Sequence, residues 1–171
     1  MKDRNDSEIT PRSESQLDIS VWYRRVYALC QAKLISQSDA EDAAQETFVR
    51  GIARLDELRS QNAMGGWLRG IARNVCVDLI RRNKVRQTSG EPIETLAAKA
   101  NNSTNESKQL NAYIGQLPDP LREVVLLHYY EEMTYDQMAE WLDVARSTVS
   151  ERLSKARRIL KQKMIADRSM P

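Results

Sequence analysis

Apolar residues recur along this chain at the spacing of an α-helix, and no stretch alternates with the period of two that a half-buried strand requires. The first stripe runs from Trp22 through Val26 and Cys30 to Leu34, in steps of four residues. Such a stripe buries one face of a helix and leaves the other to solvent. The pattern therefore predicts an all-α fold.

Two polar stretches divide the chain. Residues 1–16 mix charge, Ser and Pro without periodicity, which predicts a disordered leader. Residues 87–109 are rich in Ser, Thr and Asn, which predicts a flexible linker. Two small helical domains result, over residues 17–86 and 110–165, with a short tail over 166–171.

The first domain is predicted to be a three-helix bundle. Its second helix is predicted to start at Ser38, with Glu41 completing a capping box. The apolar face predicted for that helix consists of Ala44, Phe48, Ile52 and Leu55. A third helix follows Asn62, and its stripe consists of Trp67, Leu68, Ile71, Ala72, Val75 and Leu79. Lys and Arg outnumber Asp and Glu by twelve to eight over residues 17–86, mostly in the third helix and its exit, so this bundle has one basic flank.

The second domain is predicted to contain four helices. Residues 110–117 form a short helix that Pro118 ends, and residues 121–127 form the next. Thr134 and Gln137 have capping-box spacing and predict the start of a third helix. A short turn over residues 143–145 leads to a last helix, for which Ser147 and Thr148 are the predicted N-caps. Two short helices joined this tightly are typical of a helix-turn-helix.

The charge inverts at this turn. Residues 119–143 carry seven acids and one base, whereas residues 146–163 carry seven bases and one acid. An abrupt switch favours an anionic partner for the last helix, although a solvated basic face on an ordinary helical hairpin is the alternative. Arg and Lys suit guanine and phosphate, Glu suits cytosine, and Ser suits either. The candidate DNA-reading residues are Arg146, Ser147, Thr148, Ser150, Glu151, Ser154, Lys155 and Arg158.

Other functions find little support in the residues. His128 is the only histidine, and Cys30 and Cys76 are far apart in sequence, so no zinc-ligand spacing exists. No glycine loop cradles a phosphate and no apolar run reaches the roughly 20 residues of a membrane span. We therefore predict a non-enzymatic protein of the cytoplasm without a metal or other cofactor, whose two thiols are reduced core residues.

Three segments in order resemble the sigma-70 family of RNA polymerase sigma factors, in its small extracytoplasmic-function group. DAEDAAQETFVRGIARLDEL (residues 39–58) resembles the polymerase-binding helix of conserved region two. WLRGIARNVCVDLIRR (residues 67–82) resembles the helix that reads the minus-ten promoter element. LPDPLREVVLLHYYEEMTYDQMAEWLDVARSTVSERLSKARRIL (residues 117–160) resembles conserved region four, which reads the minus-thirty-five element.

The resemblance implies partners and roles. The partners are promoter DNA, core RNA polymerase through its β′ clamp helices and β subunit, and an anti-sigma factor that clamps the two domains together. The polymerase-docking residues would be Asp42, Gln45 and Glu46. The residues at the melted minus-ten strand would be Leu58, Arg69, Ile71 and Asn74, with phosphate contacts from Arg73, Arg81, Arg82 and Lys84. Core packing is the alternative role for Ile71, and helix-dipole stabilisation is the alternative for the acidic docking residues.

Several positions differ from the family pattern, and one rival function accounts for part of the chain. Leu58 and Met64 stand where the family often has aromatic residues, which predicts weaker stacking on melted bases, and Trp67 is expected in the core. Ser150, Glu151 and Ser154 replace residues that are often larger or basic, so the minus-thirty-five preference is expected to differ. The rival is a dimeric helix-turn-helix regulator that acts without polymerase, which leaves the first domain unexplained.

Overall fold

The structure, a computed structural model, describes residues 19–34, 36–88 and 105–168, and every regular element within those ranges is a helix. The first unit contains α1 (Ile19–Lys33), α2 (Gln37–Ala53) and α3 (Met64–Thr88), with 3₁₀ turns at Leu55–Glu57 and Gln61–Ala63 between α2 and α3. The second unit contains α4 (Asn105–Gly115), α5 (Asp119–Tyr129), α6 (Tyr135–Leu142) and α7 (Arg146–Arg168). The predicted all-α class is therefore confirmed.

The core of the first unit follows the stripe of α1. Val26, Leu29 and Cys30 are fully buried there, and Val75 and Cys76 of α3 pack in the same cluster. Both cysteines are free and buried, as predicted for core thiols. A thiol at such a position behaves as a small apolar side chain.

The prediction for the buried face of α2 was wrong in part. Ile52 is 74% exposed and Leu55 is also exposed, whereas the face against α1 and α3 consists of Ala40, Ala43, Ala44, Thr47 and Gly51. Small side chains let α2 approach its neighbours closely; the Thr47 hydroxyl, buried with them, donates a 2.7 Å hydrogen bond to the Ala43 carbonyl. Residues at steps of four rotate steadily around a helix that has 3.6 residues per turn. The predicted stripe therefore turns away from the core by the time it reaches Ile52.

Two predicted helix starts were also wrong. Ser36, not Ser38, caps α2, and its hydroxyl accepts a hydrogen bond from the Asp39 amide. Helix α7 begins at Arg146, so Ser147 and Thr148 lie within its first turn. In both cases the predicted cap is a hydroxyl residue one or two positions from the observed boundary, because neighbouring hydroxyl residues are equally suitable caps by type.

Helix α3 continues to Thr88 and α4 begins at Asn105, so both ends of the predicted linker are helical. Residues 89–104, the middle of that linker, lie outside the described ranges, as does the predicted leader. Helix α7 likewise runs to Arg168, into the predicted tail.

The two units pack against each other. Helix α5 lies against both α1 and α7, and a single apolar cluster continues from Leu29 of the first unit to Leu127 and Leu153 of the second. No helix in the described ranges is long and apolar enough to cross a lipid bilayer.

Candidate nucleic-acid interface

The helix-turn-helix consists of α6 and α7. Thr134 caps the start of α6 through the predicted capping box. Its hydroxyl accepts a hydrogen bond from the backbone amide of Gln137, and its own backbone amide donates to Gln137 Oε1 at 2.9 Å. Asp143 ends α6 in the left-handed region, with φ of 55°, a conformation that Asp tolerates better than most residues. The Val144 amide then donates to the Ala139 carbonyl at 3.1 Å. The predicted turn over residues 143–145 is confirmed.

Helix α7 presents the predicted DNA-reading residues on the side away from the core. Val149, Leu153 and Ala156 are fully buried and hold the helix against α5 and α6. Thr148 and Ser150 are half-buried. The exposed members of the predicted set are Arg146, Ser147, Glu151, Ser154, Lys155 and Arg158.

Some cations of α7 have partners within the protein. Arg146 lies 3.0 Å from the Asp136 carboxylate and over the Tyr135 ring, so it bridges the two helices of the motif. Arg157 donates to the Tyr129 hydroxyl at 2.8 Å, and Lys163 donates to Gln116 Oε1 at 2.6 Å. Some of the cations behind the charge inversion therefore make contacts within the protein, whereas Lys155 and Arg158 lie exposed on the outer face of α7.

The residues predicted for the minus-ten element lie on and before α3 in different environments. Asn74, Arg73, Arg81 and Arg82 are exposed. Ile71 is buried in the core at 6% exposure, and Leu58 packs partly against that core. The structure thus brings together a basic, amide-bearing face on α3 and places Ile71 behind it.

Arg69 is the exception among the α3 cations. Its side chain is only 13% exposed. It donates a 2.8 Å hydrogen bond to the Trp141 carbonyl at the end of α6, and it lies 3.7 Å from the Asp143 carboxylate. Both partners belong to the second unit, which no sequence pattern indicates.

Helix α2 carries the residues predicted to dock on polymerase. Asp42 and Gln45 are exposed, and Glu46 accepts a 2.7 Å hydrogen bond from Arg50. Val49 and Ile52 are exposed beside them, at 62% and 74%. Sequence reasoning assigned Ile52 to the core and did not place Val49 on this surface, although Asp42, Gln45 and Val49 follow the spacing of one helix face.

Glu123 of α5 is a charged residue buried at 6% exposure. Burial raises the pKa of its carboxyl above 4.5, although nearby Arg73, Lys33, Arg152 and Arg69 act in the opposite direction. Its Oε1 atom has no hydrogen-bond partner among the described residues. Desolvation of the charged form is therefore the dominant influence at this position.

Glu123→Gln is expected to stabilise the fold at neutral pH, because the amide removes a carboxylate whose charged form is disfavoured by burial. The folded-state pKa is raised, so the wild type loses stability as pH rises from 4.5 through the folded-state value, and the neutral amide does not. Urea denaturation at neutral pH and below pH 4.5 measures the difference. An equal difference at both pH values would contradict the expectation.

The fold and these surfaces define a DNA-binding protein with two helical units, one of which carries a helix-turn-helix. The family model for Sigma-70 region 2 matches residues 19–86, and the model for Sigma-70 region 4 matches residues 107–160. The ECF RNA polymerase sigma factor SigM of Bacillus subtilis is 30% identical over 127 residues, which cover 71% of this chain and 77% of that protein. SigW of the same organism, also an ECF sigma factor, is 28% identical over 161 residues, which cover 85% and 86%.

A solved structure has the same fold. It is the sigma factor RpoE in complex with the anti-sigma factor NepR from Bartonella quintana, with a TM-score of 0.63 and 22% identity over 87% of this chain and 95% of that one. The chain belongs to the sigma-70 family, in its extracytoplasmic-function group, and is a promoter-recognising transcription initiation factor.

Proposed function

We propose that the two units divide promoter recognition between them, as distinct functional domains over residues 17–86 and 110–165. The second unit lays α7 in the major groove at the minus-thirty-five element, and Lys155 and Arg158 contact bases or phosphates there. The observation that carries this assignment is the exposed cationic face of α7, presented by a fully formed helix-turn-helix. Ser150, Glu151 and Ser154 on the same face set the sequence preference.

The first unit captures the melted minus-ten strand on α3. Asn74 is exposed and can read the edge of a base that has left the stack. Arg73, Arg81 and Arg82 are exposed beside it and bind backbone phosphates, a contribution that is blind to sequence and sensitive to salt. Arg69 contributes a further cation when its contacts with the second unit are released. Leu58 borders the bases, and Ile71 supports this surface from the core behind it.

Core RNA polymerase, acting in the bacterial cytoplasm, is the proposed partner of α2. An acidic and apolar face made by Asp42, Gln45, Val49 and Ile52 supports a protein-docking role, because an exposed apolar patch rimmed by charge marks an interface. Residues 87–109 tether the two units, so two weak sites gain affinity through effective concentration. In this proposal the protein binds promoter DNA and positions polymerase on it, and polymerase carries out RNA synthesis.

An anti-sigma factor is the proposed inhibitor. The compared RpoE structure is a complex with such a protein. Co-purification of this chain from its native host under repressing conditions tests the proposal, and recovery without an inhibitory partner would argue against it.

In vitro transcription with core polymerase on a library of genomic fragments tests the function. We expect discrete start sites that depend on this chain, and a stable complex with core polymerase on size exclusion. A stable dimer that binds duplex DNA but neither binds polymerase nor yields transcripts would support the rival, a conventional regulator.

Asp42→Ala combined with Gln45→Ala is expected to weaken binding to core polymerase by about tenfold, since loss of central interface contacts commonly costs 1 kcal/mol or more. Titration of labelled protein with core polymerase measures the affinity. Asp56→Ala is the control, because Asp56 is an exposed carboxylate on the 3₁₀ turn after α2, outside this face. Equal effects of the two changes would refute a specific docking face.

A further inference from the structure

The core of the first unit contains a pair of thiols that the proposed function does not use. Cys30 of α1 and Cys76 of α3 are fully buried, and both are free thiols. Helices α1 and α3 pack against each other, and the two side chains are hydrogen-bonded to one another across that contact. The chain has two cysteines, so each thiol has the other as its sole cysteine neighbour. A pair in direct contact differs from a lone buried cysteine, because its two sulfurs can be joined.

The hydrogen bond makes the two sulfurs chemically unequal. The Cys30 thiol donates to the Cys76 sulfur and thereby lowers the pKa of Cys76; Lys33 acts in the same direction, whereas burial and the carboxylates of Asp119 and Glu123 oppose it. The same bond raises the pKa of Cys30, and burial raises it further. Cys76 is therefore the sulfur that ionises first, and Cys30 retains its proton. The thiolate is the nucleophilic form of cysteine.

The arrangement of the two helices suits a covalent bond between these sulfurs. Hydrogen-bonded thiols already point at each other, and a disulfide needs side chains that converge from closely packed backbones. One sulfur is poised to attack, and the second lies beside it to complete the reaction. These are the two parts of a redox-active dithiol.

We propose that Cys30 and Cys76 form a peroxide-reactive dithiol, in which one molecule of hydrogen peroxide converts the two thiols to a disulfide that ties α1 to α3. The Cys76 thiolate attacks a peroxide oxygen, so that an S–O bond forms, the O–O bond breaks and hydroxide leaves. The Cys30 sulfur then attacks the sulfur of this sulfenic acid, so that the S–S bond forms, the S–O bond breaks and a second hydroxide leaves. The two thiol protons convert both hydroxides to water, and two electrons pass from the thiols to the peroxide.

Burial decides which oxidants can reach the pair. Neither sulfur is accessible to solvent, so the reaction proceeds through local opening of the helices around it. Hydrogen peroxide is close to water in size and needs only a small opening. Oxidised glutathione must bring a whole peptide to the sulfur, so the fold is expected to exclude it. The pair is therefore selective for small peroxides.

The disulfide closes a loop that contains all of α2 and the first half of α3. A cross-link stabilises a fold by restricting the unfolded chain, and the effect grows with the length of the loop. The docking residues Asp42 and Gln45 and the DNA-facing Asn74 lie within this loop, and all three are exposed. Oxidation therefore holds the first unit together without consuming a residue of either proposed surface. The cross-link itself is independent of the proposed function, and only its benefit to those surfaces rests on it.

Peptide mass spectrometry of the full, reduced chain after exposure to hydrogen peroxide tests the bond. We expect the peptide that contains Cys30 to be joined to the peptide that contains Cys76, and dithiothreitol to separate them. Oxidised glutathione is expected to react at least about tenfold more slowly, because burial blocks its access. A disulfide between two chains, oxidation to sulfinic acid without a disulfide, or thiols that survive peroxide that oxidises free cysteine would overturn the proposal. Equal reaction with oxidised glutathione would overturn the selectivity.

Two variants of Cys30 test its hydrogen bond to Cys76. Cys30→Ser keeps a hydrogen-bond donor and Cys30→Ala removes it, and neither can complete the disulfide, so oxidation of Cys76 stops at the sulfenic acid that dimedone traps. We expect Cys76 to be oxidised at least about fivefold faster in Cys30→Ser than in Cys30→Ala. Circular dichroism checks that the helices are retained. Equal rates, or a faster reaction in Cys30→Ala, would overturn activation by the hydrogen bond, and the bond mapped in the wild type decides the pairing even if neither variant folds.

Urea denaturation followed by circular dichroism tests the consequence for stability. The disulfide-bonded wild type is expected to unfold at a higher urea concentration than the reduced protein, and dithiothreitol is expected to reverse the shift. Peroxide also oxidises methionine, so Cys30→Ala treated in the same way is the control, because it keeps the six methionines and lacks the pair. An unchanged or lower midpoint for the disulfide-bonded protein, relative to this control, would overturn the stabilising role.

Discussion

Replacement of Leu153 by Ala is expected to lower the free energy of unfolding by about 3 kcal/mol. Leu153 is fully buried on α7, in the cluster that joins this helix to α5 and α6. Truncation removes apolar contacts and leaves a cavity that surrounding helices fill only in part. Urea denaturation followed by circular dichroism measures the loss.

Leu153→Met is the matched control, because it nearly conserves volume and is expected to cost less than about 1.5 kcal/mol. A loss below about 1 kcal/mol for Leu153→Ala would show that the helix-turn-helix does not depend on this contact. The larger loss would mean that the DNA-reading face of α7 depends on the core behind it.

Removal of two cations from the outer face of α7 is expected to weaken duplex DNA binding strongly. Lys155→Ala with Arg158→Ala should lower affinity by about ten- to a hundredfold, since a good base contact is worth roughly 1–3 kcal/mol. If both contact phosphates, the slope of log affinity against log salt should also fall by about two. Fluorescence anisotropy over a range of salt, with a duplex selected from genomic DNA by the wild type, measures both quantities.

The control carries the same change in charge further along the helix. Lys161→Ala with Lys163→Ala removes two cations beyond the proposed reading face, one of which donates to Gln116 within the protein. We expect a much smaller loss of affinity. Equal losses for the two pairs would mean that α7 attracts DNA by net charge alone, without a defined reading face.

The cations of α7 are of two kinds: some contact other side chains of the protein, and others are available to DNA. The sequence shows seven bases between residues 146 and 163, which suggests one uniform surface. In the structure Arg157 and Lys163 donate to side chains of the second unit, and Arg146 contacts α6. The contacts available to DNA are therefore fewer than the charge suggests, and Lys155 and Arg158 carry more of the proposed binding.

Local chemistry explains why most elements could be predicted from the sequence. The Thr134 capping box, the turn over residues 143–145 and the buried Val149 and Leu153 depend on spacings of three and four residues along one helix. Helix starts were less certain, since Ser36 and Ser38 are both suitable caps and only the backbone distinguishes them.

Tertiary packing decided the features that no local pattern contains. Close approach of α2 to its neighbours selects a face of small residues and leaves Ile52 exposed. Contact between the units buries Glu123, and it places the Trp141 carbonyl over Arg69. The helices, the helix-turn-helix and the family resemblance could therefore be predicted from the sequence, because these features depend on neighbours along the chain. Which surfaces are exposed and which are covered depends on tertiary packing, because partners 72 residues apart meet only after folding.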